Sequence, residues 1–590
     1  MAFARKGASV ALAVAASAGL HLVAPPAAAL EPAPAYPDVV RTSFHVAVRD
    51  GTRLAVNVYR PARDGVAETS PLPVIFAFTP YRARFADKDG KVEELALNDR
   101  LALRSLIRSG YVVATADIRG KGASFGHRRG FQDRTEAMDG HDLVEWLADQ
   151  PYSSGKIGMI GCSYLGGTTF HTASTAPPSL KAVFIGASDL DKYAFVRRGG
   201  IPAQFNTRPD EPPEVDLASM PVDADTDGAM LRAAVAEHAA NTPMAALWYG
   251  MPFRDSISAL TGNALWEEVG IYNYLDPIRR AGIATYFWSN WQDEPTAQAI
   301  LSAANLTGSR FLAGPGSHCV PPPGFDFTGE ITRYFDLHLK GAANGLDRAP
   351  RATYWVEGLD GKGGYVTSDR LPGEASDTLS WYPDSTRSGT ARSLNDGSLV
   401  MGKADARLAA DRFPVDYDLP APEYFAFWAK PMDAHGLSYT SAPLSAPLRL
   451  VGFPVAHLAV STDREDAQVF VYLDSVDANG QAEVIAFGRL ALSHRKQSKP
   501  PYSNMGLPFH SGVRADTAPV RPGEVVHAAI DMTPIARIVP AGTRLRLTIA
   551  GADPRQRNLP EIRAAALRQG RPPVITIHHG GSRLDLPLDK

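Results

Sequence analysis

Between residues 44 and 186 short, continuously apolar runs alternate with longer stretches of helical period. Residues 44–48 and 54–59 alternate in polarity either side of Asp50-Gly51, which predicts a hairpin. Residues 73–78, 111–116 and 181–186 are apolar almost throughout, as is the run Ile157, Met159, Ile160. Residues 101–109 and 135–150 carry apolar positions three and four apart, among them Met138, Leu143, Trp146 and Leu147, and predict helices. Strands without a polar face, spaced by helices, predict a parallel sheet covered on both sides.

The pattern changes at residue 189. Up to 276, helical stretches (230–240 and 244–250) sit among Pro-rich, acidic loops and many aromatics, including Phe195, Phe205, Trp248, Tyr249, Phe253, Trp266 and Tyr274. This reads as a helical cap inserted into the sheet domain, which resumes with strands 284–289 and 310–313 and a closing helix over 328–340. Beyond 375 helices nearly vanish. Short strands at 448–451, 457–460, 469–473, 484–492, 525–530, 545–549 and 574–578 predict a sandwich or jelly roll. The predicted organisation is a sheet domain in two parts (36–188 and 277–375), a helical cap (189–276) and a C-terminal jelly-roll domain (376–590).

The first 29 residues stand apart. Arg5 and Lys6 precede an apolar run over 8–24, then Pro25, Pro26 and Ala27-Ala28-Ala29, which is the pattern of a secretory signal cut near Leu30. The run is Ala-rich and short for a membrane span, so the expected product is secreted or periplasmic without an anchor. With 60 basic against 63 acidic residues, no global field favours nucleic acid or an anionic membrane. The two cysteines, Cys162 and Cys319, are too few for a disulfide scaffold. Each is next to a candidate catalytic residue whose side chain must face the other, so the cysteine side chains are expected to diverge as buried free thiols.

The chemistry concentrates at strand ends. Lys156–Gly167 reads as a strand running into a sharp Gly/Ser corner and then a helix, which would present Ser163 as a nucleophile on an elbow. The glycine that usually follows the serine by two residues falls one place later, at Gly166. Asp293 follows the strand 284–289, and His318 follows the strand 310–313. Serine, acid, histidine is the order of an α/β-hydrolase triad: His318 takes the Ser163 proton while Asp293 orients the imidazole. No His/Cys/Asp cluster has ligand spacing, so neither metal nor cofactor is expected.

Several motifs recur together: Asp117-x-Arg119-Gly120-x-Gly122-x-Ser124-x-Gly126, Glu145-Trp146, Gly161-x-Ser163-Tyr164-x-Gly166, Trp291-Gln292-Asp293, Gly314-Pro315…His318 and the run from Arg333 to Gly341. In this set the chain resembles the cocaine esterase and X-prolyl dipeptidyl-peptidase family of α/β-hydrolases, which also holds α-amino-acid ester hydrolases and glutaryl-cephalosporin acylases. The resemblance covers nearly all of the chain after the leader. It implies Ser163, Asp293 and His318 as the triad, with the Tyr81 hydroxyl and the Tyr164 amide as oxyanion donors. Asp117 and Arg119 read as a structural ion pair near the site.

Pro295, Thr296 and Arg197-Arg198 stand where the ester hydrolases that read a substrate ammonium carry carboxylates. The ammonium reader is therefore missing, and Arg197 is a speculative contact for a carboxylate on the acyl side. The function expected is hydrolysis of small-molecule esters through an acyl-enzyme. Amide cleavage by an acylase or X-prolyl-type aminopeptidase is the alternative, and a non-catalytic binding protein is the alternative of another class.

Overall fold

The computed structural model describes residues 36–202, 211–358, 362–374, 376–402, 409–420, 427–556 and 558–589. The expected leader (1–29) and Phe205 lie outside the described residues.

The sheet domain is built on ten strands: β1 (Asp38–Ala47), β2 (Arg53–Arg63), β3 (Leu72–Thr79), β4 (Val112–Asp117), β5 (Ser153–Cys162), β6 (Leu180–Gly186), β7 (Ala284–Asn290), β8 (Arg310–Gly314), β9 (Ala352–Glu357) and β10 (Gly363–Ser368). Pairing sets the order β1-β2-β4-β3-β5-β6-β7-β8-β9-β10. β4, β3 and β5 through β9 run parallel, and the predicted hairpin supplies an antiparallel edge. β4 is buried at every position and β3 at all but its first, because both faces are covered.

Helices α1 (Leu103–Arg108), α2 (Arg134–Ala148) and α3 (Tyr164–Ala173) follow β3, β4 and β5. After β6 come five short helices: α4 (Lys192–Val196), α5 (Ala229–Glu237), α6 (Met244–Tyr249), α7 (Leu265–Glu268) and α8 (Leu275–Ala281). α9 (Thr296–Asn305) and α10 (Phe327–Phe335) follow β7 and β8. The closing helix expected over 328–340 stops being an α-helix at Phe335 and continues with wider, π-type winding over Asp336–Lys340. Gly341, at φ 71°, ends it.

The C-terminal region is β-rich, with a second core formed by residues such as Leu458, Val471, Leu547 and Ile577. The strand expected at 574–578 runs over Val574–Leu588 instead. Gly580-Gly581 looks like a turn in sequence, but the chain passes through it, and the register against Val455–Thr462 shifts between His457 and Ala459 as a bulge. A short helix, Leu559–Arg568, interrupts a stretch expected to be strands and turns. Glu357 pairs with Arg537 across the boundary and joins the two sheets.

Candidate active site

The parallel strands all end at one edge, and the candidate residues lie on either side of the point where the chain crosses from β4 over β3 to β5. Open α/β sheets place ligands there. Ser163 follows β5 at φ 60°, ψ −128°, a conformation costing roughly 1–3 kcal/mol. Its amide donates to Gly186 O (3.0 Å) and its carbonyl accepts from Gly167 N (2.9 Å), which fixes the corner. A Cβ at Gly161 would sit 2.2 Å from Leu165 O, and one at Gly166 2.2 Å from Gly186 O. The late glycine therefore belongs where the helix passes β6, while Leu165 fills the core. Tyr164 is the first residue of α3, so its amide is among the N–H groups a helix leaves unpaired.

Asp293 is 1% exposed, and both its oxygens lie against His318 Nδ1, at 3.0 and 2.9 Å. A carboxylate only accepts, so Nδ1 carries the proton and Nε2 presents its lone pair. Burial of the imidazole lowers its pKa, but the Asp293 charge and hydrogen bond outweigh this and hold His318 above the ordinary histidine value. Burial likewise raises the Asp293 carboxyl, with His318 acting against it. The two loops are laced together: Trp291 N donates to Gly314 O, Gln292 N to Gly316 O, and Asn290 Nδ2 to the carbonyls of Ser317 and Val320. Phe427, from the C-terminal region, stacks on the His318 ring at 4.2 Å.

Cys162 and Cys319 are joined by a disulfide, with Cα atoms 5.9 Å apart. The expectation of free thiols fails because side-chain alternation does not carry through left-handed residues. Ser163 and Cys319 have φ of 60° and 56°, so both segments turn between the cysteine and the candidate triad residue beside it. The bond brings Ser163 and His318 to within about 13.5 Å from Cα to Cα. Among the described residues no Ser163–His318 hydrogen bond is formed; such contacts often tighten only when substrate binds.

Tyr81 lies two residues beyond β3, 48% exposed, with its ring edge-on to Tyr164 at 6.4 Å. Its loop is braced by Asp117, which accepts from Ala83 N (2.6 Å) and Ala123 N (3.0 Å) and whose pKa burial raises to about 7 against those amides. Asp117 does not pair with Arg119, contrary to the sequence reading. Arg119 makes a two-pronged pair with Asp139 (2.5 and 2.6 Å) and reaches Asp50, because its fork points back toward α2.

Sequence reasoning missed the support around Tyr164. Its hydroxyl donates to Glu136 Oε2 (2.8 Å) and accepts from Arg128 (3.1 Å), while Phe131 meets its ring at 4.7 Å. Burial raises Glu136 to about 8, with Arg128 and Tyr164 opposing. Gln132 Nε2 donates to Tyr164 O, and its Oε1 accepts from Lys192, itself paired with Asp189. No local spacing signals these long-range contacts. Arg197 is 7% exposed, and its Nη2 donates to the carbonyls of Trp248 (2.9 Å) and Tyr249 (3.5 Å); Arg198 pairs with Asp531.

Residues 50–320 match the profile of the X-Pro dipeptidyl-peptidase (S15 family), and residues 344–581 match the X-Pro dipeptidyl-peptidase C-terminal non-catalytic domain. This chain is a hydrolase that carries an S15-family domain followed by that family's C-terminal domain. A Mycobacterium bovis protein provisionally named a serine esterase is 28% identical, over 94% of this chain and 96% of the relative. The cocaine esterase of a Rhodococcus species is 22% identical, over 87% of this chain and 91% of its own. The crystal structure of an aminopeptidase from a marine sediment Thaumarchaeota archaeon shares the fold: TM-score 0.69, 20% identity, 94% of this chain and 97% of that one. The S15 hydrolase thus keeps both family domains in order, with the candidate triad inside the first.

Proposed function

We propose that this S15 hydrolase is an exported serine esterase that cleaves carboxylic esters of small molecules through an acyl-enzyme. The observation that carries it is the Asp293–His318 pair, tied by one disulfide to the Ser163 elbow. Ser163 Oγ attacks the ester carbonyl while His318 Nε2 takes its proton, and Asp293 stabilises the imidazolium formed. The Tyr164 amide and the Tyr81 hydroxyl donate to the developing oxyanion. His318 returns the proton to the leaving alcohol, then activates water to release the acid. Residues 189–276 serve as a cap, and the C-terminal region as a jelly roll.

Cleavage of an amide beside a free amino group is the second reading, favoured by the S15 match. The residues next to Asp293 weigh against it: Pro295 and Thr296 offer no charge, and Glu294 is buried beside Arg489. A fluorophosphonate probe on the mature enzyme should label wild type and not Ser163→Ala. Equal labelling of both would refute the nucleophile. A matched ester and X-Pro anilide then separate the two readings, the ester turning over faster. For the acyl-side carboxylate, Arg197→Ala should lower turnover of glutaryl relative to neutral esters, and an unchanged ratio removes that contact.

A further inference from the structure

We infer that the Cys162–Cys319 disulfide is a positioning device that keeps the base loop against the nucleophile elbow, so that turnover depends on the oxidised protein. The inference rests on the triad proposed above.

In the sheet, β5 and β8 are separated by β6 and β7, so no ladder joins the elbow to the loop that carries His318. Other fastenings of that loop come from the β7 side (Asn290 on the Ser317 and Val320 carbonyls, Gln292 on Gly316 and Asp293 on the imidazole) and from Phe427 stacked on His318, none of them from the elbow. The elbow is fastened to β6 through Gly186. Among the described residues, no hydrogen bond runs between 161–167 and 315–320. The disulfide is the direct tie, and its sulfurs belong to the immediate neighbours of Ser163 and His318. With Ser163 and His318 not yet hydrogen-bonded, the freedom of one loop relative to the other decides how often the proton can pass. A displacement of about 1 Å at such a site can lower the rate about 100-fold.

The bond is also reachable. Cys162 is 7% exposed, but Cys319 is partly exposed and lies beside Val320, which is 42% exposed. The thiolate of a small dithiol would attack Cys319 Sγ, and Cys162 Sγ would leave as a thiolate and take a proton. The second thiol of the reagent then closes its own ring, freeing the Cys319 thiol. Two electrons pass from reagent to protein, and air or an oxidised disulfide reverses the exchange.

The experiment uses the full mature chain with a neutral ester. After dithiothreitol treatment, with two free thiols counted by mass spectrometry, kcat should fall about 10–100-fold with KM little changed. Fluorophosphonate labelling of Ser163 should slow in parallel, and re-oxidation should restore both. The double variant Cys162→Ala/Cys319→Ala should show the same loss with no response to dithiothreitol. Unchanged kcat and labelling in a protein shown to be reduced would overturn the inference. So would loss of the native near-UV signal in both the reduced protein and the double variant, because the bond would then hold the fold and not the site. Turnover surviving in oxidised Ser163→Ala would refute the triad itself, whatever the thiol state.

Discussion

His318 and His579 each lie against an aspartate at nearly equal distance: Nδ1 of His318 is 2.9 Å from Asp293, and Nε2 of His579 is 2.8 Å from Asp411. The second pair sits among the C-terminal strands, where the His579 side chain is fully buried and Tyr439 shares the same Asp411 oxygen at 3.0 Å. A third pair, His238–Asp216, has both ring nitrogens occupied, the other by Ser124 O at 2.8 Å. Only the first stands at the end of a parallel strand, with a 19% exposed side chain and Nε2 facing away from its carboxylate. An imidazole–carboxylate contact is thus ordinary architecture. A serine on a strained corner, and an unspent ring nitrogen aimed at solvent, make the difference.

The largest break in this comparison is expected from Ser163→Ala, which should lower kcat/KM about 10⁴–10⁶-fold, whereas His579→Gln should leave it within about twofold. Next, Asp293→Asn should cost about 10⁴-fold in kcat through the wrong tautomer, while Asp411→Asn should not register in steady-state kinetics. Tyr81→Phe should lower kcat about 10²–10³-fold with KM nearly unchanged, the mark of a donor used in the transition state. A pH profile sharpens the picture. His318 must be neutral to accept a proton, and Asp293 holds its pKa above the ordinary value. The acid limb of kcat/KM should therefore lie at higher pH than for an unperturbed imidazole and move down in Asp293→Asn. Smallest for activity, His579→Gln should cost about 1–3 kcal/mol in denaturant unfolding, because Asp411 loses its buried imidazole partner and keeps the Tyr439 hydroxyl.

Much of the fold was legible in the sequence, because short apolar runs spaced by stretches of helical period mark covered parallel strands. The order of Ser163, Asp293 and His318 also survives in one dimension. What was not legible depends on where turns send side chains. The disulfide follows from two left-handed residues that no pattern announces, and the bracing of Tyr164 by Gln132 and Glu136 joins residues about thirty positions apart. Arg119 showed the converse: two charges close in sequence suggested a pair, yet the better geometry lay with Asp139 on α2.

Glu294, the residue after Asp293, is 5% exposed, and Arg489 Nη1 lies 2.8 Å from its Oε1, an ion pair whose angle falls short of a hydrogen bond. Arg489 belongs to the strand Ala482–Ala491 of the C-terminal region. The anionic neighbour of the acid is thus neutralised from the other half of the polypeptide. Deleting one member of such a couple costs about 3–5 kcal/mol and strands a bare negative charge beside the one the imidazole leans on. A chain cut before the C-terminal region would inherit that fault beside the candidate acid.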